Sequence, residues 1–161
     1  MPLEDDVPAR PPPPREALER YAQAFNESQL LAGLSARLTF PDPPDRVVVR
    51  VDPILPFHRG GLGTSAVNGG ILAAMFDFVI GVTAALIDPT RRSATMQLSI
   101  TFERPVTGDW FLAEGRIDRA GGSILFSSAV VKDPLGQVCS RCAGLVRLSK
   151  LPWDPNWQNQ K

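Results

Sequence analysis

The chain has 161 residues, of which 43% are hydrophobic, and its formal net charge is +0. This length predicts one domain with a sizeable core, and the balanced charge gives no sign of a nucleic-acid or anionic-membrane partner. Two cysteines are too few for a disulfide scaffold. No basic segment precedes an apolar one at the N-terminus, so a cytoplasmic rather than a secreted protein is expected.

The first half of the chain predicts two helices with a strand between them. Residues Met1–Pro14 hold six prolines and are expected to be disordered or in polyproline II. Apolar residues at three- and four-residue spacing predict a helix from Arg15 to Leu38, which the following prolines end. Valines alternate with other residues over Arg46–Asp52, as in a strand, and after a glycine-rich loop a long helix is predicted from Asn68 to Ile87.

The second half predicts four strands joined by tight turns. These strands are Ala94–Arg104, Trp110–Asp118, Ser123–Lys132 and Val138–Leu148. Residues 151–161 are expected to form an irregular tail, in which Trp153 and Trp157 would cover a neighbouring subunit. The element order predicts a single α+β domain over residues 15–150, with an antiparallel sheet packed on one central helix and an extra helix at its N-terminus.

Asp77 is the only charged residue between Gly60 and Asp88, and it lies inside the long apolar helix. A carboxylate in such a place is costly unless it is partnered or used, so Asp77 is predicted to be a buried functional acid. The apolar run is borderline in length for a membrane span. The acid near its middle favours a soluble core helix instead.

The helix has two different faces at 100° per residue. Large apolar residues are expected to pack on the sheet: Ile71, Leu72, Met75, Val79, Val82 and Leu86. The opposite face carries small residues and the acid: Gly70, Ala73, Ala74, Asp77, Gly81 and Ala84. Small residues allow another backbone or a ligand to come close, so this face predicts a helix–helix dimer contact, a substrate slot beside Asp77, or both.

The helix begins with Asn68, Gly69 and Gly70. Asparagine is a preferred N-cap residue, and the first amides of a helix lack internal partners and carry its positive dipole end. The N–H groups could therefore polarise a substrate carbonyl. Gly69 and Asp77 lie about 12 Å apart along the axis, too far for one reacting carbonyl, so a two-fold dimer would have to bring the acid from a second copy.

These residues resemble the hotdog-fold thioesterases, specifically the acyl-CoA thioesterases of the phenylacetate-pathway type. In that family a helix begins with His-Gly-Gly, an Asp follows nine residues after the His, and a later strand exits through Arg-Pro-Val. The matching residues here are Asn68-Gly69-Gly70, Asp77, Thr95, Arg104-Pro105-Val106, Gly108 and the turn Asp133–Gly136. The resemblance spans about Val47 to Leu148.

The resemblance implies a hotdog fold, a homodimer or a dimer of dimers, and hydrolysis of an acyl-CoA without metal or bound cofactor. Asp77 would act as general base or nucleophile, the Gly69 amide would polarise the thioester carbonyl, and Asn68 takes the place of the family's His. The remaining substrate contacts are expected from Gly70, Leu62, Phe78 and Thr95. Leu62 stands where the family has an asparagine, which with Phe78 predicts an apolar slot for medium-chain or aromatic acyl groups.

The sequence departs from the family at the phosphate contacts as well. Gly122 or Ser123 stands where the family often has a basic residue, so the nucleotide needs other donors among Arg91, Arg92, Arg104 and Arg119.

Other chemistry has weaker support. His58, the only histidine, is predicted to be a loop or dimer-contact residue, because no GxSxG elbow accompanies it. Cys139 and Cys142 fall in a strand with no second pair for zinc, and both are read as small core or interface residues. The competing functions are a non-catalytic acyl-CoA sensor and, with less support, a hotdog dehydratase.

Overall fold

The computed structural model describes residues 10–60 and 65–156. The predictions for residues 1–9, Leu62 and Trp157 lie outside these ranges. The helices are α1 (Arg15–Asn26), α2 (Gln29–Gly33) and α3 (Gly69–Val82). The strands are β1 (Ala36–Thr39), β2 (Val47–Val51), β3 (Arg91–Phe102), β4 (Phe111–Gly121), β5 (Ile124–Lys132) and β6 (Val138–Pro152).

The six strands form one antiparallel sheet in the order β1-β2-β4-β5-β6-β3. The sheet curls around α3, whose buried residues contact β2, β3, β4, β5 and β6. This arrangement is the hotdog fold, and the predicted fold class is confirmed. Short β1 forms one edge, and β3 forms the other. The 12-residue β3 pairs with β6 alone.

Two glycines let α3 approach the sheet closely. A Cβ atom on Gly115 of β4 would lie 2.5 Å from Val79 Cγ1, and one on Gly144 of β6 would lie 2.7 Å from Ile80 Cγ2. Both distances are shorter than any real Cβ contact, so the helix occupies the space that side chains at these positions would fill. The two glycines therefore set the depth at which the central helix sits.

The predicted helix from Arg15 to Leu38 is interrupted after Asn26 and is wrong beyond Gly33. Ser28 caps the separate helix α2, because its Oγ accepts the Leu31 N–H at 3.3 Å. After a turn at Ser35, with φ of 50°, the chain forms β1 instead of continuing as a helix. The side chain of Asn26 holds β1 in place by bonding the N–H and C=O of Leu38 at 2.7 and 3.0 Å.

The C-terminal half follows the prediction more closely, with one correction. All four strands predicted there form, and β6 continues four residues further than expected, to Pro152. Trp153 packs within its own chain. Its ring stacks on Phe25 with centroids 5.9 Å apart, and its backbone N–H donates to the carbonyl of Thr90 at 2.7 Å. A contact between Trp153 and a neighbouring subunit stays a prediction.

Residues Gly69–Leu86 are apolar and long enough to cross a membrane by composition, with a mean hydropathy of 1.9. More than half of this stretch is buried inside the chain as the core helix and the short 3-10 turn that follows it.

Candidate active site

The first turn of α3 leaves a single amide without an acceptor. Asn68 is the N-cap: its Oδ1 accepts the Gly70 N–H at 2.8 Å, and its carbonyl accepts those of Ile71 and Leu72. Among the residues that the structure describes, nothing accepts the Gly69 N–H. An unpaired N–H at the positive end of a helix is a preformed donor for a carbonyl oxygen or an oxyanion.

The side-chain oxygen, the side-chain nitrogen and the backbone N–H of Asn68 are all hydrogen-bonded. Besides the cap, its Nδ2 donates to the carbonyl of Gly60 at 3.3 Å, and its backbone N–H donates to His58 at 2.8 Å. These bonds fix the entry of the chain into α3 and hence the direction of the Gly69 N–H. The geometry thus supports a positioning role for Asn68, while its direct contact with a substrate stays a prediction.

Asp77 is exposed in the single chain and not buried as the sequence predicts. The acid lies on the helix face that points away from the sheet, where Ala74 is also exposed, so its apolar sequence neighbours do not enclose it. Within the described part of the chain its carboxylate has no hydrogen bond or ion pair. Thr95 approaches it from β3 but donates to its backbone carbonyl, at 3.3 Å.

The small-residue face is open as predicted over most of its length. Gly70 and Ala74 are exposed, and Ala73 and Gly81 are half-buried. Ala84 departs from the prediction. It is buried because α3 tightens into the 3-10 turn Thr83–Leu86.

Two clefts flank this open face, one at each candidate group. A cleft of about 330 Å³ borders Gly69, between Phe102 and Arg104 at the exit of β3. A second cleft of about 310 Å³ borders Asp77 and includes Phe78 and Thr95. Both meet the lower end of the usual size of ligand sites, roughly 300–1,000 Å³. One chain therefore places the two candidate groups in two separate clefts.

A larger cleft of about 640 Å³ lies on the other face of the sheet. Its charged side chains are paired with one another or with neighbours, as Glu114 is with Lys132 and Arg141 with Glu103. It contains neither the free amide nor the free carboxylate, so its size alone does not make it the better candidate.

The four candidate phosphate donors are not equivalent. Arg91 and Arg92 donate to carbonyls of Ser149 and Pro152 at the end of β6, at 2.6 and 3.0 Å. Arg119 lies over the ring of Phe126, 4.4 Å from its centroid. Arg104 lines the cleft beside Gly69, and among the described residues no group pairs with its guanidinium. Arg104 is thus the most available of the four.

His58 is fully buried and is held as a structural residue. Its Nδ1 accepts the N–H of Leu55 at 3.0 Å, while no described group pairs with Nε2. Burial lowers the pKa of His58, and the charge of Arg59 lowers it further. A histidine so enclosed lies at neither of the two clefts. Cys139 and Cys142 are likewise buried in the core, as the sequence indicates.

Sequence reasoning missed one side of the cleft at Asp77. Tyr21 and Phe25 of α1 line it, together with Ser93 of β3. The spacing of Tyr21 and Phe25 shows only that they share the apolar face of a helix. Nothing local indicates that this face meets Asp77, which lies more than fifty residues later in the chain.

Comparisons with known proteins point to the same fold. Residues 65–140 match the family model described as the thioesterase superfamily. The chain is also similar to the PaaI protein from the phenylacetic acid degradation operon of E. coli. The two structures superpose with a TM-score of 0.70 at 13% identity, over 85% of this chain and 96% of the other. The resemblance to hotdog-fold thioesterases is thereby confirmed.

Two further proteins are similar to this chain. A protein of Streptococcus mutans, solved with bound acetyl-CoA, superposes with a TM-score of 0.57 at 20% identity and covers 65% of this chain and 82% of its own. A Saccharolobus solfataricus protein named as an esterase is 26% identical over 99 residues, which are 62% of this chain and 69% of that protein.

Proposed function

We propose that this protein hydrolyses acyl-CoA thioesters with medium-chain or aromatic acyl groups, at sites shared between two copies of the chain. The observation that carries the proposal is the presence of two unpartnered groups on α3: the Gly69 N–H at the start of the helix and the Asp77 carboxylate on its open face. The match to the thioesterase superfamily, the acetyl-CoA on one structural relative and the esterase name of another support the same chemistry.

The distance between the two groups requires the second copy. They lie about 12 Å apart along the axis, whereas a reacting carbonyl needs both within about 3 Å. A two-fold arrangement with antiparallel α3 helices would set the Gly69 cleft of one chain against the Asp77 cleft of the other, twice per dimer. It would also cover Asp77, which the single chain leaves exposed.

The free edge of the sheet supports the same assembly. Strand β3 exposes Met96 and Phe102 to 56% and 54%. A long edge strand with exposed apolar side chains is a template for pairing. Pairing of β3 with its copy would bring the two α3 helices together, and a dimer of two such dimers is the larger assembly compatible with this proposal.

In the proposed reaction the Gly69 N–H donates to the thioester oxygen as negative charge develops there. Asp77 of the other copy takes a proton from water while the water oxygen bonds to the carbonyl carbon. The tetrahedral intermediate then expels the CoA thiolate, which receives the proton, and the free acid leaves. In the variant mechanism an Asp77 oxygen attacks directly, and water then hydrolyses the mixed anhydride.

A single turnover in ¹⁸O-water tests for the direct attack. Proton abstraction by Asp77 puts ¹⁸O into the released acid and leaves the enzyme unlabelled. In the direct attack, water that cleaves the anhydride at the Asp77 carbonyl leaves the label on Asp77 and an unlabelled oxygen in the product, so a labelled Asp77 after one turnover identifies this route.

The nucleotide is expected to contribute weakly. The Gly122 region lacks the basic residue that the family often has, and Arg104 is the remaining unpaired donor beside Gly69. Activity with an acyl-pantetheine should therefore be close to that with the acyl-CoA. A large loss on removing the nucleotide would contradict a weak phosphate site.

The decisive test is complementation between two variants. Asp77→Asn removes the proposed base, with a loss of about 100-fold or more. Gly69→Pro removes only the proposed donor, because proline lacks an N–H and is favoured at the first helical position. Asn68, with ψ of 137°, already has the backbone that a following proline requires.

A heterodimer purified with two tags, one on each variant chain, should regain roughly half of the wild-type activity, because one of its two sites holds an intact amide and an intact acid. Inactive heterodimers, with both variants folded, would show that the two groups do not share a site. Asp109→Asn, at another exposed acid, is the matched control and should retain full turnover. Acyl-CoA binding by wild-type protein that hydrolyses no member of a thioester panel would favour the sensor.

A further inference from the structure

The cleft beside Asp77 has a wall that comes from outside the family-matched segment. Phe78 and Gly81 of α3 and Thr95 of β3 lie within residues 65–140, whereas Tyr21 and Phe25 belong to α1. The last two residues form the boundary of the cleft on the side of α1. This side of the site therefore depends on a helix that the family's common core does not include.

The wall consists of aromatic rings that hold one another in place. Phe25 meets Phe78 edge to face, with ring centroids 5.4 Å apart, and stacks on Trp153 at 5.9 Å. Tyr21 contacts Phe25 at 4.8 Å and Trp153 at 4.7 Å. Packed rings of this kind resist displacement, because each ring shift opens a gap in its neighbours.

The wall also carries no charge. Tyr21 is buried, and burial raises the pKa of its hydroxyl well above the ordinary value, so it is neutral at physiological pH. Asp77 is the one charged residue lining this cleft among the residues that the structure describes. An uncharged acyl group fits such surroundings, whereas a second carboxylate at its far end would lose its hydration without gaining a cationic partner.

The two ends of the proposed site differ in charge. The cleft at Gly69 opens beside the unpaired guanidinium of Arg104, which suits the polar CoA side of the substrate. The cleft at Asp77 ends on aromatic rings, which suits the acyl side.

We infer that Phe25 and Tyr21 close the acyl cleft and set the greatest acyl length that the enzyme accepts. This inference rests on the proposed function. It predicts a preference for compact acyl groups, either aromatic or of medium chain length, and rejection of long chains and of acyl groups with a terminal carboxylate.

The test compares acyl-chain profiles of wild type, Phe25→Ala and Phe25→Leu. Kinetics are measured with acyl-CoA thioesters from acetyl to hexadecanoyl and with benzoyl-CoA. Binding is measured in parallel by calorimetry with non-hydrolysable thioether analogues of the same lengths. Removing the ring should raise the ratio of kcat/KM for dodecanoyl over hexanoyl by roughly tenfold or more, with the same trend in affinity. Phe25→Leu should shift the ratio in the same direction by less.

Phe40→Ala is the matched control. Phe40 is buried, and its ring meets that of Tyr21 edge to face with centroids 6.2 Å apart, but Phe40 does not line the cleft. It should lower stability in the way that Phe25→Ala does and leave the chain profile as in wild type.

The outcomes separate the wall from the reaction. A profile that moves to longer chains in both Phe25 variants supports the wall, and so does a shift in analogue affinity alone if the protein binds thioesters without hydrolysing them. A shift in analogue affinity without hydrolysis would reject the proposed reaction and still support Phe25 and Tyr21 as the wall of the cleft. Unchanged profiles in both Phe25 variants, or an equal shift in Phe40→Ala, would overturn the inference even when wild type is an active thioesterase.

Discussion

The two faces of α3 differ in how completely they are filled. On the sheet side, β4 and β6 carry glycines where any side chain would collide with Val79 or Ile80. On the other side, the helix presents glycine, alanine and one unpartnered acid to open space. Close packing without polar groups serves stability, whereas an open face with an unpaired acid, next to the unpaired amide at the helix start, is suited to chemistry. Substitutions on the open side should therefore lower activity and leave stability unchanged, whereas substitutions on the sheet side should lower stability and leave activity unchanged.

The largest effect is expected on the open face at Gly69. Gly69→Pro should lower kcat by about 100- to 1,000-fold, as removal of an oxyanion donor does elsewhere, with little change in the free energy of unfolding. Gly69→Ala keeps the N–H, and its new Cβ would lie 3.5 Å from Phe102, an ordinary contact. The alanine variant should keep most of its activity. Equal losses in both variants would mean that space, and not the amide, matters at this position.

The filled face should respond in stability. Gly115→Ala places a methyl group 2.5 Å from Val79 Cγ1 and 3.4 Å from the Val79 carbonyl oxygen. Overpacking of this kind lowers the free energy of unfolding by about 1–3 kcal/mol, which denaturant titration measures. Turnover per folded molecule should remain. Gly33→Ala, where no atom lies within 4 Å of the new Cβ, is the control. If Gly115→Ala were as active and as stable as wild type, α3 would be able to shift away from the sheet without loss of stability.

A smaller effect is expected where the two faces meet, at the N-cap. Asn68→Ala should lower the free energy of unfolding by about 1 kcal/mol, because it leaves the Gly70 N–H unsatisfied. Asn68→Ser should restore most of this stability, and Asn68→His should retain hydrolysis. If Asn68→Ser is as stable as wild type but does not hydrolyse the substrate, Asn68 contacts the substrate in addition to capping the helix.

The smallest effect concerns pH and the buried His58. In the folded chain its pKa lies below the ordinary value of about 6.5 that the unfolded chain keeps. Between these two values the unfolded state binds more protons, so stability is fully present above about pH 6.5 and decreases as the pH falls toward the folded pKa. Denaturant midpoints measured from pH 7.5 to 5.5 should decrease accordingly, and His58→Gln should flatten that slope. An equal slope in the variant would assign the pH dependence to other groups.

The sequence predicted the central helix and five of the six strands, because their apolar periodicity is local. It failed at β1, since Leu34 and Leu38 fit a helical spacing as well as a strand. The turn at Ser35 and the bonds from Asn26 to Leu38 depend on tertiary structure. The open helix face was also predictable from spacing. The exposure of Asp77 in one chain was not, because burial was inferred from sequence neighbours that point elsewhere.

The sequence named the two groups of the candidate site but not its boundaries. Gly69 and Asp77 follow from the helix start and from a lone acid in an apolar run. The choice of Gly69 over Gly70 came from the resemblance, and the hydrogen bond from Gly70 to Asn68 gives a physical reason for it. The wall formed by Tyr21 and Phe25 depends on contacts between distant segments, which periodicity does not encode.

The stack of Phe25 on Trp153 joins α1 to the segment that follows β6, beside the acid cleft. Neither ring belongs to residues 65–140, the segment that matches the superfamily. With the inferred wall, substrate choice can change through these flanking segments while the helix and sheet that hold the amide and the acid stay the same.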